Sequence, residues 1–224
     1  MKYFAIAFLC LLGWALSLEA APITSLSAGQ SEQTSNAVSE GAAAPDFRLA
    51  VAANFEFHPP LRIDGEEVTI TPLLTPDPGV YQPAMLDLIN SAQTALYIQL
   101  QYIHPSNNAA DAAFTALIDA VAARKKAGVD VRIIVSQWQV SGGWLERLQA
   151  AGISLDYVKV QNGVHNKGFV VDSKKVALGS QNWSAEGVLQ NRDASLIVEN
   201  ETAAKYYEAI FLHDWNKIAK QSVK

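Results

Sequence analysis

The sequence predicts an α/β fold, a mixed and mostly parallel sheet flanked by helices. Three observations carry that prediction. β-rich apolar runs at residues 68–74, 95–103, 129–135 and 153–160 recur along the chain. Between them lie segments whose apolar residues return at helical spacing. Near the C-terminus, residues 164–179 read as a hairpin, which adds one antiparallel pair.

Each element has its own warrant. Val68 to Leu74 is a strand, and Thr75-Pro76-Asp77-Pro78-Gly79 a loop. Residues 82–94 place Met85, Leu88, Ile89 and Ala92 on one helical face. Ala95 to Ile103 is the second strand. Residues 109–126 form a helix with Phe114, Leu117, Ile118 and Val121 as its stripe and Gly128 as its stop. A strand over 129–135, a short helix over 143–151 and a strand over 153–160 follow. After the hairpin come a strand over 194–198 and a closing helix over 201–219.

The 224 residues divide unevenly. Met1-Lys2, an apolar run from Tyr3 to Leu18 and small residues around Ala20 have the layout of a signal peptide over 1–20, so export to the periplasm or outside is expected. About 16 apolar residues are short for a membrane span, and no basic stop-transfer cluster follows, so no permanent span is expected after cleavage. Residues 21–67 hold 7 acids against 2 bases and read as a flexible acidic linker ending in an extended arm. Phe47, Phe55 and Phe57 are candidates to pin that arm. Residues 68–224, with 14 acids and 14 bases, form the catalytic domain. That neutral balance argues against sequence-blind nucleic-acid binding. A single Cys10 excludes a disulfide framework and a cysteine-based zinc site.

The chemistry lies in 164–195. His165-x-Lys167-x4-Asp172 is followed by Gly179-Ser180-x-Asn182 and then by Asn191-x-Asp193. The first two blocks fix six residue types at set spacings, which by chance arise on the order of once in a million chains of this size. A two-residue turn at Ser173-Lys174 would set Lys167 opposite Ser180 and His165 opposite Asn182, bringing four polar groups to one face. An imidazole, an ammonium, a hydroxyl and an amide so gathered suit a phosphoryl group. Lys167 would neutralise charge, Ser180 and Asn182 would donate hydrogen bonds, and His165 would attack phosphorus or move a proton. Asp172 has the wrong parity and lies roughly 20 Å away along the strand, which leaves it a structural role. Asp193 is the candidate to hold the His165 ring in one tautomer. His104 and Trp183 are candidates for the rim.

This pattern resembles the signature of the phospholipase D superfamily across residues 68–219. The resemblance implies two signature copies meeting at one site, and phosphodiester cleavage through a phosphohistidine without metal or cofactor. On it His165 is nucleophile or general acid, Lys167 and Asn182 bind phosphate, Ser180 supports them, Gly179 and Asp172 belong to the signature, and Asp193 replaces a downstream acid. This sequence holds one copy, so either two chains pair as a homodimer or the chain is a half-enzyme. The expected substrate is a phosphatidyl lipid, hydrolysed or transphosphatidylated. A secreted nuclease and a non-catalytic binding module are the alternatives.

Overall fold

The structure, a computed structural model, describes residues 58–221. The expected export segment, most of the acidic linker and Phe47, Phe55 and Phe57 lie outside the described residues.

Eight strands form one sheet: β1 (Thr69–Leu74), β2 (Ala95–Leu100), β3 (Asp130–Val135), β4 (Val158–Val160), β5 (Lys167–Val171), β6 (Lys175–Gly179), β7 (Ala194–Glu199) and β8 (Lys220–Gln221). Among the described residues five α-helices accompany them: α1 (Tyr81–Ser91), α2 (Ala112–Lys126), α3 (Trp144–Ala150), α4 (Ala185–Leu189) and α5 (Glu201–His213). The strand order is β1-β7-β6-β5-β2-β3-β4-β8. The expected mixed sheet with flanking helices is present. The expectation of mostly parallel pairing is corrected, because only β2–β3 and β3–β4 pair in parallel. Parallel neighbours need a crossover, which α2 and α3 supply; the hairpin and the short returns after it force antiparallel pairing elsewhere.

Alternation along the strands divides the core in two. Leu96, Ile98 and Leu100 point to one face with Phe169 and Ala177, and pack against Met85, Leu88 and Ile89 of α1 and Phe114, Leu117 and Ile118 of α2. Tyr97, Val170 and Val176 point to the other, under α5, where Phe211 stacks on Tyr97 at 4.9 Å. The arm joins this second layer through Leu61 and Ile63, and Glu66 accepts hydrogen bonds from Asn200 Nδ2 and Thr202 Oγ1, both at 2.9 Å.

Among the boundaries that differ from expectation, two do so for polar reasons. The closing helix, expected to reach residue 219, becomes a π-turn over Asp214–Ile218. There the buried Asp214 carboxylate accepts from Gln99 Nε2 at 2.8 Å and Gln161 Nε2 at 3.1 Å, and that anchor draws the backbone inward. The strand expected over 153–160 forms only at its end, because Leu155–Tyr157 make a 3₁₀ turn capped by Ser154.

The hairpin carries the most consequential correction. Its turn centres on Asp172 and Ser173, with φ of 52° and 55°, and Lys174 N–H donates to Val171 O at 2.9 Å. Positive φ at both central residues is what a primed hairpin turn demands, and Asp tolerates it better than most residues. Lys174 also stays outside the ladder, so the loop spans 172–174, Val171 pairs with Lys175 and Lys167 with Gly179, one residue out of the expected register.

Asp172 locks this turn to the sheet. Its carboxylate accepts from the backbone N–H groups of Gln93 (2.9 Å), Thr94 (2.8 Å) and Ala95 (2.8 Å), and from the Thr94 hydroxyl (2.8 Å). Burial by itself pushes the carboxyl pKa up, but these four donors outweigh it and hold the group below its ordinary value. The stability from this clamp is therefore complete above the unfolded pKa near about 4 and is lost as pH falls through the lower folded value. Asp172→Ala is expected to cost about 2 kcal/mol, read as a lower urea midpoint with unchanged slope, and to flatten the acid limb of the stability profile.

Candidate active site

The strand directions bring the signature residues to one end of the sheet. The first residue of β5, the last of β6 and the first of β7 lie together there, beside the C-terminal ends of β2 and β3. Ligands collect at such strand ends in α/β sheets.

Lys167, Gly179 and Ser195 form one row across β5, β6 and β7. Gly179 is required by close approach, since a Cβ there would overlap the Ser195 side chain and sit 2.8 Å from Ala194 O. Lys167 is only 8% exposed. Its Nζ donates to His165 O at 2.7 Å and to Gln101 Oε1 at 3.4 Å, and lies 3.4 Å from His165 Nδ1. Desolvation lowers the pKa of this amine, and the Asp193 carboxylate opposes the shift. A bound phosphate would do the same more strongly. His165 itself precedes β5 and is exposed, so its ring opens to solvent while its backbone anchors the lysine. The two expected partners do meet, but because Lys167 folds back onto the loop rather than because both leave one strand face.

Ser180 and Asp193 form a second pair. Ser180 Oγ donates to Asp193 Oδ1 at 2.6 Å and accepts from Ala194 N–H at 3.2 Å. The Asp193 backbone is clamped by Thr75, whose N–H donates to Asp193 O at 3.0 Å and whose Oγ1 accepts from Asp193 N–H at 3.2 Å. Two expectations are corrected by this arrangement. Ser180 gives its proton to Asp193 and faces neither Lys167 nor a phosphate oxygen as a free donor. Asp193 holds Ser180 instead of the His165 ring, and no carboxylate among the described residues bonds that ring.

Asn182 follows in a tight bend. Its carbonyl accepts from Ser184 N–H at 3.0 Å and rests against Gly187, where any side chain would overlap it. Asn182 Oδ1 is buried without a hydrogen-bond partner among the described residues, a polar atom left for a ligand or a rearrangement. The register shift explains why Asn182 does not oppose His165 directly: the expected face-to-face pairing is replaced by loop geometry.

The rim candidates separate. Trp183 is 1% exposed and packs between Phe114 and Phe169, with Nε1–H donating to Tyr81 Oη at 3.3 Å, so it is core and not rim. His104 is half-buried and lines an open groove. Sequence reasoning missed Gln101 and Thr75. Gln99 and Gln101, two amides at the end of an otherwise apolar strand, were the available signal for the first; nothing local marks the second.

A sequence model of the family described as "Cardiolipin synthase, PLD-like domain" matches residues 85–215. A phospholipase D of Rickettsia conorii is 33% identical over 130 residues, 57% of this chain and 58% of the relative. The mitochondrial cardiolipin hydrolase of Xenopus tropicalis is 30% identical over 92 residues, 40% of this chain and 44% of the relative. The chain thus spans about half the length of the curated relatives it matches. Among solved structures, the phospholipase D family member Nuc from Salmonella typhimurium superposes with a TM-score of 0.55 at 22% identity, over 70% of this chain and 100% of that one. This last likeness concerns the fold.

Gly179→Ala tests the crowded row at the heart of the site. The added methyl is expected to cost about 1–3 kcal/mol, measured by thermal or urea unfolding. A Ser195→Gly exchange in the same chain, which removes the overlapping group, should recover part of that loss.

Proposed function

Since the chain belongs to the PLD-like domain family matched by residues 85–215, we propose that it is an exported, metal-independent phosphodiesterase that cleaves the head group from phosphatidyl lipids as a homodimer. The observation that carries the proposal is the buried Lys167 ammonium held 3.4 Å from the exposed His165 ring. Burying an ammonium is costly unless hydrogen-bond acceptors surround it. Such a cation is poised to gain from an incoming phosphate anion, whose developing charge it would stabilise. The names of the rickettsial and mitochondrial relatives favour a lipid over a nucleic acid.

The chemistry follows from two copies of one ring. Nε2 of one His165 attacks phosphorus, the bond from phosphorus to the head-group oxygen breaks, and the second His165, entering protonated, gives that oxygen its proton. Water then attacks the phosphohistidine, the second ring takes a proton from it, and phosphatidic acid leaves with the first imidazole restored. For attack, the first ring needs its proton on Nδ1. Lys167, which faces Nδ1 in the free protein, must therefore turn to the phosphate as substrate binds. The amide of Asn182 completes the phosphate contacts, and the Ser180–Asp193 pair braces the wall behind them.

Pairing of two copies has a surface to act through. Ile70, Pro72 and Leu74 of β1 share a face with Val198, Leu196 and Ala194 of β7. Ile70 is 56% and Leu196 43% exposed. This stripe runs toward Thr75 and Asp193, so a two-fold contact along it lies next to the site.

His165→Asn should reduce turnover by several orders of magnitude, and residual activity of about a tenth of wild type or more would exclude the mechanism. Phosphatidyl lipid and plasmid DNA assayed side by side, with chelator present, separate lipid hydrolysis from nuclease activity. Retained activity in chelator is the expected result. Leu196→Glu should give a folded monomer by light scattering and circular dichroism with activity lost; an active monomer would rule out the shared site.

A further inference from the structure

A second feature lies beside the signature residues and belongs to none of them. Beyond Gln101, which touches Lys167, the chain runs through Tyr102 and His104 along a polar groove of about 510 Å³. Its lining also includes Arg147 of α3, Glu186 of α4, Ser106 and Asn107. The groove is built rather than incidental. His104 N–H donates to Trp183 O at 2.7 Å, tying this loop to the chain just past Asn182. The fully buried Gln139 accepts from Ile103 N–H at 2.8 Å and donates to Ile103 O at 2.8 Å and Trp144 O at 3.1 Å, fixing Trp144 against the same loop.

The rings of this wall are stacked on one another. His104 lies between Tyr102, with centroids 4.1 Å apart, and Trp144, at 3.8 Å, and the Arg147 guanidinium sits over Trp144 at 4.6 Å. Both faces of the imidazole are therefore covered. Burial pushes its pKa down to about 4, with Glu186 opposing and Arg147 reinforcing the shift, so the ring is neutral at physiological pH. His104 itself has no uncovered face, and its Nε2 is buried without a hydrogen-bond partner among the described residues. A nucleobase binds by stacking on a face, and a quaternary ammonium binds over one. Neither finds a free face on His104. Edges, hydroxyls, a carboxylate and an amide instead offer hydrogen bonds of both senses, which a hydroxyl-rich alcohol can satisfy.

We propose that this groove is the leaving-group subsite and that it takes a polyhydroxylated head group, glycerol or inositol in type, with His104 and Glu186 bonding its hydroxyls. The inference rests on the phosphodiesterase reading above and adds to it the chemical class of the alcohol released. In a homodimer, one of the two equivalent grooves serves the departing alcohol.

The test compares vesicles of phosphatidylglycerol, phosphatidylinositol and phosphatidylcholine, with bis(p-nitrophenyl) phosphate as a diester whose leaving group carries no hydroxyls to bond. Wild-type protein should show a higher kcat/KM on the glycerol and inositol lipids than on the choline lipid. His104→Phe keeps the stack but removes the ring nitrogens, and Glu186→Gln changes an exposed side chain. Each should raise KM for phosphatidylglycerol about tenfold, with little change in kcat, and leave bis(p-nitrophenyl) phosphate turnover unaltered. Equal effects of the variants on all substrates, or a preference for phosphatidylcholine, would overturn the assignment. Loss of plasmid cleavage in His104→Phe without loss on lipid would overturn it in favour of a nucleotide. A wild-type protein inert toward bis(p-nitrophenyl) phosphate would instead sink the catalytic reading on which the subsite depends.

Discussion

The pairing of Lys167 with Gly179 is the constraint on which the site depends. It places a long cationic side chain beside a position that has none, so the amine can lie inside the sheet's end rather than over it. Ser195 completes the row and leaves no room for anything larger than glycine between them. The Asp172 clamp sets this register from the far end of the hairpin, where its carboxylate takes three backbone N–H groups in succession. A structural carboxylate thus determines, five residues away along a strand, where the buried ammonium stands.

Polar groups inside the sheet do comparable work on the other face. Gln99 joins Asn166 Nδ2 on one side and Asp214 on the other, and Gln161 shares the same carboxylate. This chain links the loop carrying His165 to the end of α5. Each buried amide in it is satisfied, which is the condition under which such a network adds rigidity rather than cost. The loop can then hold His165 O toward Lys167 while its ring remains open to solvent.

Much of the fold is legible from periodicity. Met85, Leu88, Ile89 and Ala92 are buried as a helical stripe, and so are Phe114, Leu117, Ile118 and Val121. The candidate site residues can be picked out from sequence too, since His165, Lys167, Ser180 and Asn182 stand at spacings that chance does not supply. Their contacts are not. Turn type depends on which two residues adopt positive φ, and the choice of Asp172-Ser173 over Ser173-Lys174 comes from the N–H groups of 93–95, which are distant in sequence. Likewise Asp193 falls to Ser180 because Thr75, 118 residues away, pins its backbone.

By itself, then, the sequence determined the α/β class, the helical and strand segments, the chemical groups available and the family they belong to. Those properties follow from side-chain type and local spacing, and both are written along the chain. Tertiary structure alone decided the strand order, the hairpin register, the burial of Trp183 and the stacking of Tyr102, His104 and Trp144. Each of these depends on contacts between segments far apart in the chain, where a one-residue change in alignment reverses which side chains meet.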